Sequence, residues 1–186
     1  MVKKACILFV SLLLLASPAL AAKINGVSFP DTVSVGGQTL TLNGGGERID
    51  FGFSVYSAAL YLKQKSTDAQ KIVSADEPMD VKLHVTSVMV SASNMKSGFE
   101  KAFKDSATGD IAPIQSKIDT FTAAFKGLRN DDVYDFAYVP GKGVVISHNG
   151  AVLSTIPGMD FKTALYGIWL GPKPVQNSLK EKMLGQ

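Results

Sequence analysis

Two side chains in this sequence could do chemistry together, and whether they meet depends on a single turn. Arg48 carries a fixed fork of cationic N–H donors and Tyr56 a phenol, in a stretch otherwise rich in Phe, Val, Leu, Ala and Gly. On one straight strand from 48 to 56 they would stand ~26 Å apart and could not share a ligand. If the chain reverses at Phe51-Gly52-Phe53, the pairing runs 50 with 54, 49 with 55 and 48 with 56. Arg48 and Tyr56 then become cross-strand neighbours with Cβ atoms ~5 Å apart, and Gly52 supplies the backbone freedom that the reversal needs. A guanidinium beside a phenol in apolar surroundings suits a carboxylate, or an enolate-like oxygen, that carries a hydrophobic body. The competing role is structural, with Arg48 paired to Glu47 or Asp50 and Tyr56 a core residue whose hydroxyl is satisfied.

Other chemistries find no residues to carry them. The sequence has no Gly-x-Ser-x-Gly elbow, and its one cysteine, Cys6, stands near the start. His84 and His148 lie 64 positions apart without a carboxylate pattern beside either. Each is expected to be solvated, so no metal and no cofactor is expected. Gly44-Gly45-Gly46 is followed by no helix pattern, which argues for a flexible or bulged strand end rather than a phosphate loop.

The first residues read as an export signal: Lys3-Lys4, an uncharged run from Ala5 to Ala16, then Ser17-Pro18 and Ala19-Leu20-Ala21. A cut after Ala21 is expected, leaving a single domain over 22–186 outside the cytoplasm, periplasmic or secreted. The apolar run of about 12 residues is shorter than the ~20 a spanning helix needs, so no stable membrane anchor is expected after cleavage. Cys6 would leave with the signal. The domain would then be held by its core alone. Lys+Arg would fall from 19 to 17 against 16 Asp+Glu. A near-neutral domain gives no electrostatic reason to bind nucleic acid.

The rest of the chain must position the pair. Extended runs are expected at 24–29, 32–35 and 38–42, with a Gly36-Gly37 turn between the last two. A short helix over 66–75 should start at Ser66 or Thr67. Val81, Leu83 and Val85 alternate with Lys82, His84 and Thr86, the pattern of a half-buried strand over 80–88. Met95, Phe99 and Phe103 make one helical stripe over 91–106. Ile114, Ile118, Phe121 and Phe125 make another that starts near Pro113 and stops at Gly127. Strands are expected at 133–139, 143–148 and 151–156, the last two joined by Asn149-Gly150. Helices over 161–170 and 175–184 close the chain. That order predicts an α+β fold with an antiparallel sheet.

Gly44-Gly45-Gly46-Glu47-Arg48 followed by Val55-Tyr56-Ser57-Ala58-Ala59-Leu60-Tyr61-Leu62 resembles the chalcone isomerase-like family. Pro140-Gly141-Lys142-Gly143, Asn149-Gly150, Phe161-Lys162-Thr163-Ala164-Leu165 and Ile168-Trp169-Leu170-Gly171 agree in order and spacing, as does the closing stretch from Leu179-Lys180 to Leu184-Gly185. The resemblance implies an open-faced sandwich: a large antiparallel sheet packed against a layer of helices, with a ligand cleft between. In the plant isomerases an arginine and a threonine engage the substrate oxygens, and a helix tyrosine and asparagine complete the network. Arg48 matches the arginine and Tyr56 stands at the threonine. The helix pair falls near Ala92 and Phe99, with Asn94 close but out of register. The non-catalytic branch, in which an arginine and a tyrosine hold a fatty acid's carboxylate, is matched better. By that resemblance Arg48 and Tyr56 would bind a small amphipathic acid, and Leu60, Phe99, Phe103, Ile118 and Trp169 could line its tail. The alternative is an isomerase or intramolecular lyase acting on a phenolic or enone substrate through the same pair.

Overall fold

Short loops and next-neighbour pairing build most of this molecule, as the turn residues predict. The computed structural model describes residues 21–186. The expected signal segment lies outside them except for Ala21, which opens the first strand and pairs with Pro30. β1 (Ala21–Ile24) and β2 (Val27–Pro30) form a separate two-stranded hairpin. The run 24–29, expected as one extended piece, is broken at Asn25-Gly26, where φ is 49° and 81°. Two consecutive positive φ values give the turn whose twist matches a hairpin.

β3 (Thr32–Val35), β4 (Gln38–Asp50), β5 (Phe53–Leu62), β6 (Met79–Val85), β7 (Val133–Val139), β8 (Gly143–His148) and β9 (Ala151–Ile156) form one antiparallel sheet in sequence order. The hairpin β1–β2 covers part of its outer face, where Phe29, Val35, Leu40, Ala59 and Tyr61 cluster. α1 (Ala69–Ser74) connects β5 to β6, and α2 (Ala92–Ser106) and α3 (Gln115–Ala123) connect β6 to β7. α4 (Met159–Leu170) and α5 (Asn177–Met183) follow β9. This is the α+β open-faced sandwich, one large antiparallel sheet against a helical layer. No helix of the described residues is long and apolar enough to cross a membrane.

The helical stripes land in the core as their spacing requires. Met95, Phe99 and Phe103 of α2 are buried, as are Ile114, Ile118, Phe121 and Phe125. Phe99 stacks on Phe125 at 4.9 Å and meets Trp169 of α4 edge-on at 5.9 Å. The ends differ by a few residues for identifiable reasons. α1 is capped by Asp68, whose carboxylate accepts the Lys71 N–H at 3.0 Å, rather than by Ser66 or Thr67. Lys162 is fully buried and donates to the carbonyls of Ile72, Val73 and Ala75, closing that helix's other end. α5 begins at Asn177 rather than 175, because Gln176 is extended, with φ −160° and ψ 122°, and so stands outside the helix as its N-cap.

The triple glycine sits inside β4 and does not end it. A Cβ on Gly44 would lie 2.2 Å from the Lys182 carbonyl oxygen, and one on Gly46 would lie 2.9 Å from the Lys182 side chain. On the other face, a Cβ on Gly45 would come within 2.4 Å of Ile24. α5 therefore rests directly on bare strand backbone. Immediately before the glycines, Leu42 faces Tyr61 but Gly44 faces Leu60, so Asn43 is an extra residue. Such a bulge reverses which face later side chains occupy. Leu40 and Leu42 pack on the outer face, while Gly44 and Gly46 meet α5. The Asn43 amide holds the bulge in place. Its Nδ2 donates to the Met183 carbonyl at 2.8 Å, and its Oδ1 accepts the Ser66 N–H at 2.8 Å.

Candidate functional site

The chain reverses between β4 and β5, and Arg48 does stand opposite Tyr56. The route differs from the expected three-residue turn. Asp50 pairs with Phe53 across a two-residue turn, Phe51-Gly52, with φ of 47° and 84°. That turn alone would set Arg48 against Val55. A second bulge between Arg48 and Ile49 makes Val55 the unpaired residue and moves the pairing on to Tyr56. The bulge also places Phe53, Val55 and Tyr56 on the wall of one cleft, together with Arg48 and Asp50. In an unbroken strand Tyr56 would face away from Phe53.

The cleft measures about 290 Å³ and lies between this hairpin and the helix layer. That is close to the lower end of small-ligand pockets, about 300–1,000 Å³. Its far wall comes from α2 (Met95, Gly98, Phe99, Ala102) and from Ile168 and Val175, with Ser87, Met89 and Val90 near the mouth. Five of the large hydrophobic residues left exposed (Ile49, Phe51, Phe53, Val88 and Met89) belong to the hairpin end or to the loop after β6.

Tyr56 is buried and accepts a hydrogen bond from Trp169 Nε1 at 3.1 Å. Its own proton has no acceptor among the described residues and is free to donate to a ligand. Burial pushes the phenol up to about 12, with the Trp169 bond and the Arg48 charge pulling the other way. It stays a protonated donor throughout the neutral range. Arg48 Nη2 donates to Asp50 Oδ1 at 3.0 Å, while Nη1 donates to the Ile49 carbonyl and, at 3.4 Å, to Gln176 Oε1. Gln176 also receives the Ile49 N–H at 2.9 Å and donates to the Glu47 carbonyl at 3.2 Å. The residue before α5 thereby fixes the strand on both sides of Arg48. Glu47 points the other way and accepts from Asn25, so Asp50 is the ion-pair partner.

Of the residues proposed to line a tail, Phe99 lines the cleft. Leu60, Phe103, Ile118 and Trp169 do not; all are almost completely buried in the core. Trp169 instead touches the site through Tyr56. Asn94, set aside as out of register, does line the cleft. Ala92 and Phe99, near which the resemblance put the plant isomerases' tyrosine and asparagine, have side chains that make no hydrogen bond. Gln176 carried no sequence signal, since a lone glutamine before a helix is ordinary. Both histidines lie elsewhere. His148 is less solvated than expected, since it pairs with Asp132 at 3.0 Å and stacks on Tyr134. Among the described residues no cluster of three or more metal-binding side chains occurs.

A family model described as chalcone isomerase-like matches residues 21–185. The chain belongs to the chalcone isomerase-like family. Among solved structures, a fatty-acid-binding protein of Arabidopsis thaliana superposes with a TM-score of 0.71 over 86% of this chain and 92% of its own. The two are 15% identical, so the likeness is one of fold. No curated protein sequence matches. In this chain the cleft lies between the β4–β5 hairpin and the helices, with Arg48 and Tyr56 on its wall.

Proposed function

We propose that this chain is an exported chalcone isomerase-fold protein that binds a small hydrophobic carboxylate, such as a fatty acid, without chalcone isomerase turnover. One observation carries the reading. A guanidinium and a phenol with an unclaimed proton share one wall of a cleft whose other sides are mostly apolar. A carboxylate takes two donors of this kind, and a hydrocarbon chain suits the remaining surface. The likeness in fold to the Arabidopsis fatty-acid-binding protein supports the ligand class. An isomerase acting on a phenolic or enone substrate would use Arg48 to stabilise developing oxyanion charge. Tyr56 gives no support for proton abstraction near neutrality, because its phenol remains protonated.

Native mass spectrometry of protein taken from its export compartment tests both halves of this reading. The expected species begins at Ala22 and carries an acid of fatty-acid mass, absent from Arg48→Ala. Absence of the chain from that compartment would remove the export reading, an uncut chain there would remove the cleavage after Ala21, and an adduct kept by Arg48→Ala would remove the site.

Tyr56→Phe is expected to weaken laurate binding by roughly tenfold, the worth of one hydrogen bond to a charged group. It should also lower thermal stability, because the buried Trp169 N–H loses its acceptor. Titration calorimetry alongside a melting curve separates the two effects. Full laurate affinity in this variant would take the phenol out of the site.

A further inference from the structure

The cation of the proposed site is not free: a carboxylate of the chain itself already sits on it. Asp50 Oδ1 lies 3.0 Å from Arg48 Nη2, and both residues line the cleft. The Asp50 side chain is 51% exposed and the Arg48 side chain 19%. Arg48 is also held by Ile49 and Gln176, whereas the Asp50 carboxylate has no other hydrogen-bond partner among the described residues. Asp50 is also the last residue before the turn, opposite Phe53. It can swing into water while the guanidinium stays in place.

We infer that Asp50 is a built-in competitor for the carboxylate seat on Arg48, and that it sets the charge preference and affinity of the cleft. This rests on the reading of the cleft as a carboxylate site. The ion pair with Asp50 offsets the guanidinium charge until a ligand arrives. A ligand carboxylate therefore exchanges with Asp50 rather than adding to a bare cation. Only the fraction of molecules with Asp50 turned away is competent, and the apparent affinity falls by that fraction. Small hydrophilic anions have nothing to offset the exchange. An acid with a hydrocarbon body does, through Val55, Met95, Phe99 and Ile168. The cleft is in this way tuned to amphipathic acids and against small ones.

Asp50→Asn and Asp50→Ala are compared with the unaltered protein by titration calorimetry, using laurate and the uncharged dodecanol of matching length. Both variants should bind laurate about two- to fivefold more tightly, the worth of one exposed ion pair. Dodecanol affinity should not change. The gain should vanish when either change is combined with Arg48→Ala. Laurate affinity that is unchanged or weaker in both variants overturns the inference. So does an equal gain for dodecanol, which would mean that the side chain merely obstructs the cleft. Laurate binding that is insensitive to Arg48→Ala, or absent from every form, overturns the carboxylate reading itself and this inference with it.

Discussion

Arg48→Ala should weaken laurate binding roughly ten- to a hundredfold while the domain keeps its fold. A hydrogen bond to a charged group contributes about 1.5–3 kcal/mol, and each 1.4 kcal/mol is a factor of ten in affinity. The fold should tolerate the change because little else depends on this side chain. Its ion pair with Asp50 is partly exposed, and such pairs contribute at most about 1 kcal/mol. The strand keeps its position through backbone contacts, since Gln176 binds the Ile49 N–H and the Glu47 carbonyl whatever stands at position 48. Melting temperature should therefore move by no more than a few degrees. Titration calorimetry with laurate reads the affinity, and dodecanol serves as the uncharged control, with little change expected. Arg48→Lys should fall between the two, because an ammonium keeps the charge but loses the two-pronged geometry. Equal laurate affinity in Arg48→Ala and the unaltered protein would leave the arginine a purely structural role.

The Arg48–Tyr56 pairing shows what the sequence can and cannot make legible. Composition and one glycine were enough to suggest a reversal, and the expected partner is the observed one. The path to it was not legible. The expected turn at 51–53 is a two-residue turn, and a bulge at Val55 corrects the register by the one residue in question. A further bulge at Asn43 returns the offset near the other end of the same strand pair. Neither bulge has a local signature, because each is stabilised from a distance. Asn43 is held by Ser66 and by Met183, which lies 140 positions away. The strands after Gly127 were easier, since their turns are local and Asn149-Gly150 names its own geometry.

The lining of the cleft was harder still. A helical stripe says which residues leave water, not whether they meet the sheet or a cavity. Phe99 and Phe103 look alike in sequence, yet only Phe99 reaches this cleft. Trp169 was expected against a ligand tail and is instead the donor that holds the Tyr56 oxygen. A buried indole N–H needs an acceptor, and that need is visible in a sequence; which acceptor meets it is not. Phe51 and Met89, which also line the cleft, lie in a turn and a loop, where periodicity says nothing.

Gly44→Ala should lower stability by about 3 kcal/mol, near the upper end for overpacking, and the melting temperature by about 10 °C. The added methyl would sit 2.2 Å from the Lys182 carbonyl oxygen and 3.0 Å from that of Met183. Both are backbone atoms of α5 and cannot rotate aside, so the helix must lift from the sheet. Lifting it uncovers Leu179 and Met183, both fully buried, and strains the Asn43 bond to the Met183 carbonyl. The damage should also reach the site, because Gln176 at the head of α5 holds the strand on either side of Arg48. Laurate affinity should accordingly fall together with stability, although Gly44 does not touch the cleft. Gly46→Ala is the internal control. Its nearest obstacle, at 2.9 Å, is the Lys182 side chain, which can move, so the loss should be clearly smaller. Melting curves and laurate titrations of both variants decide the matter. Equal losses at 44 and 46, or none at 44, would mean that the glycines are not there to admit the backbone of α5.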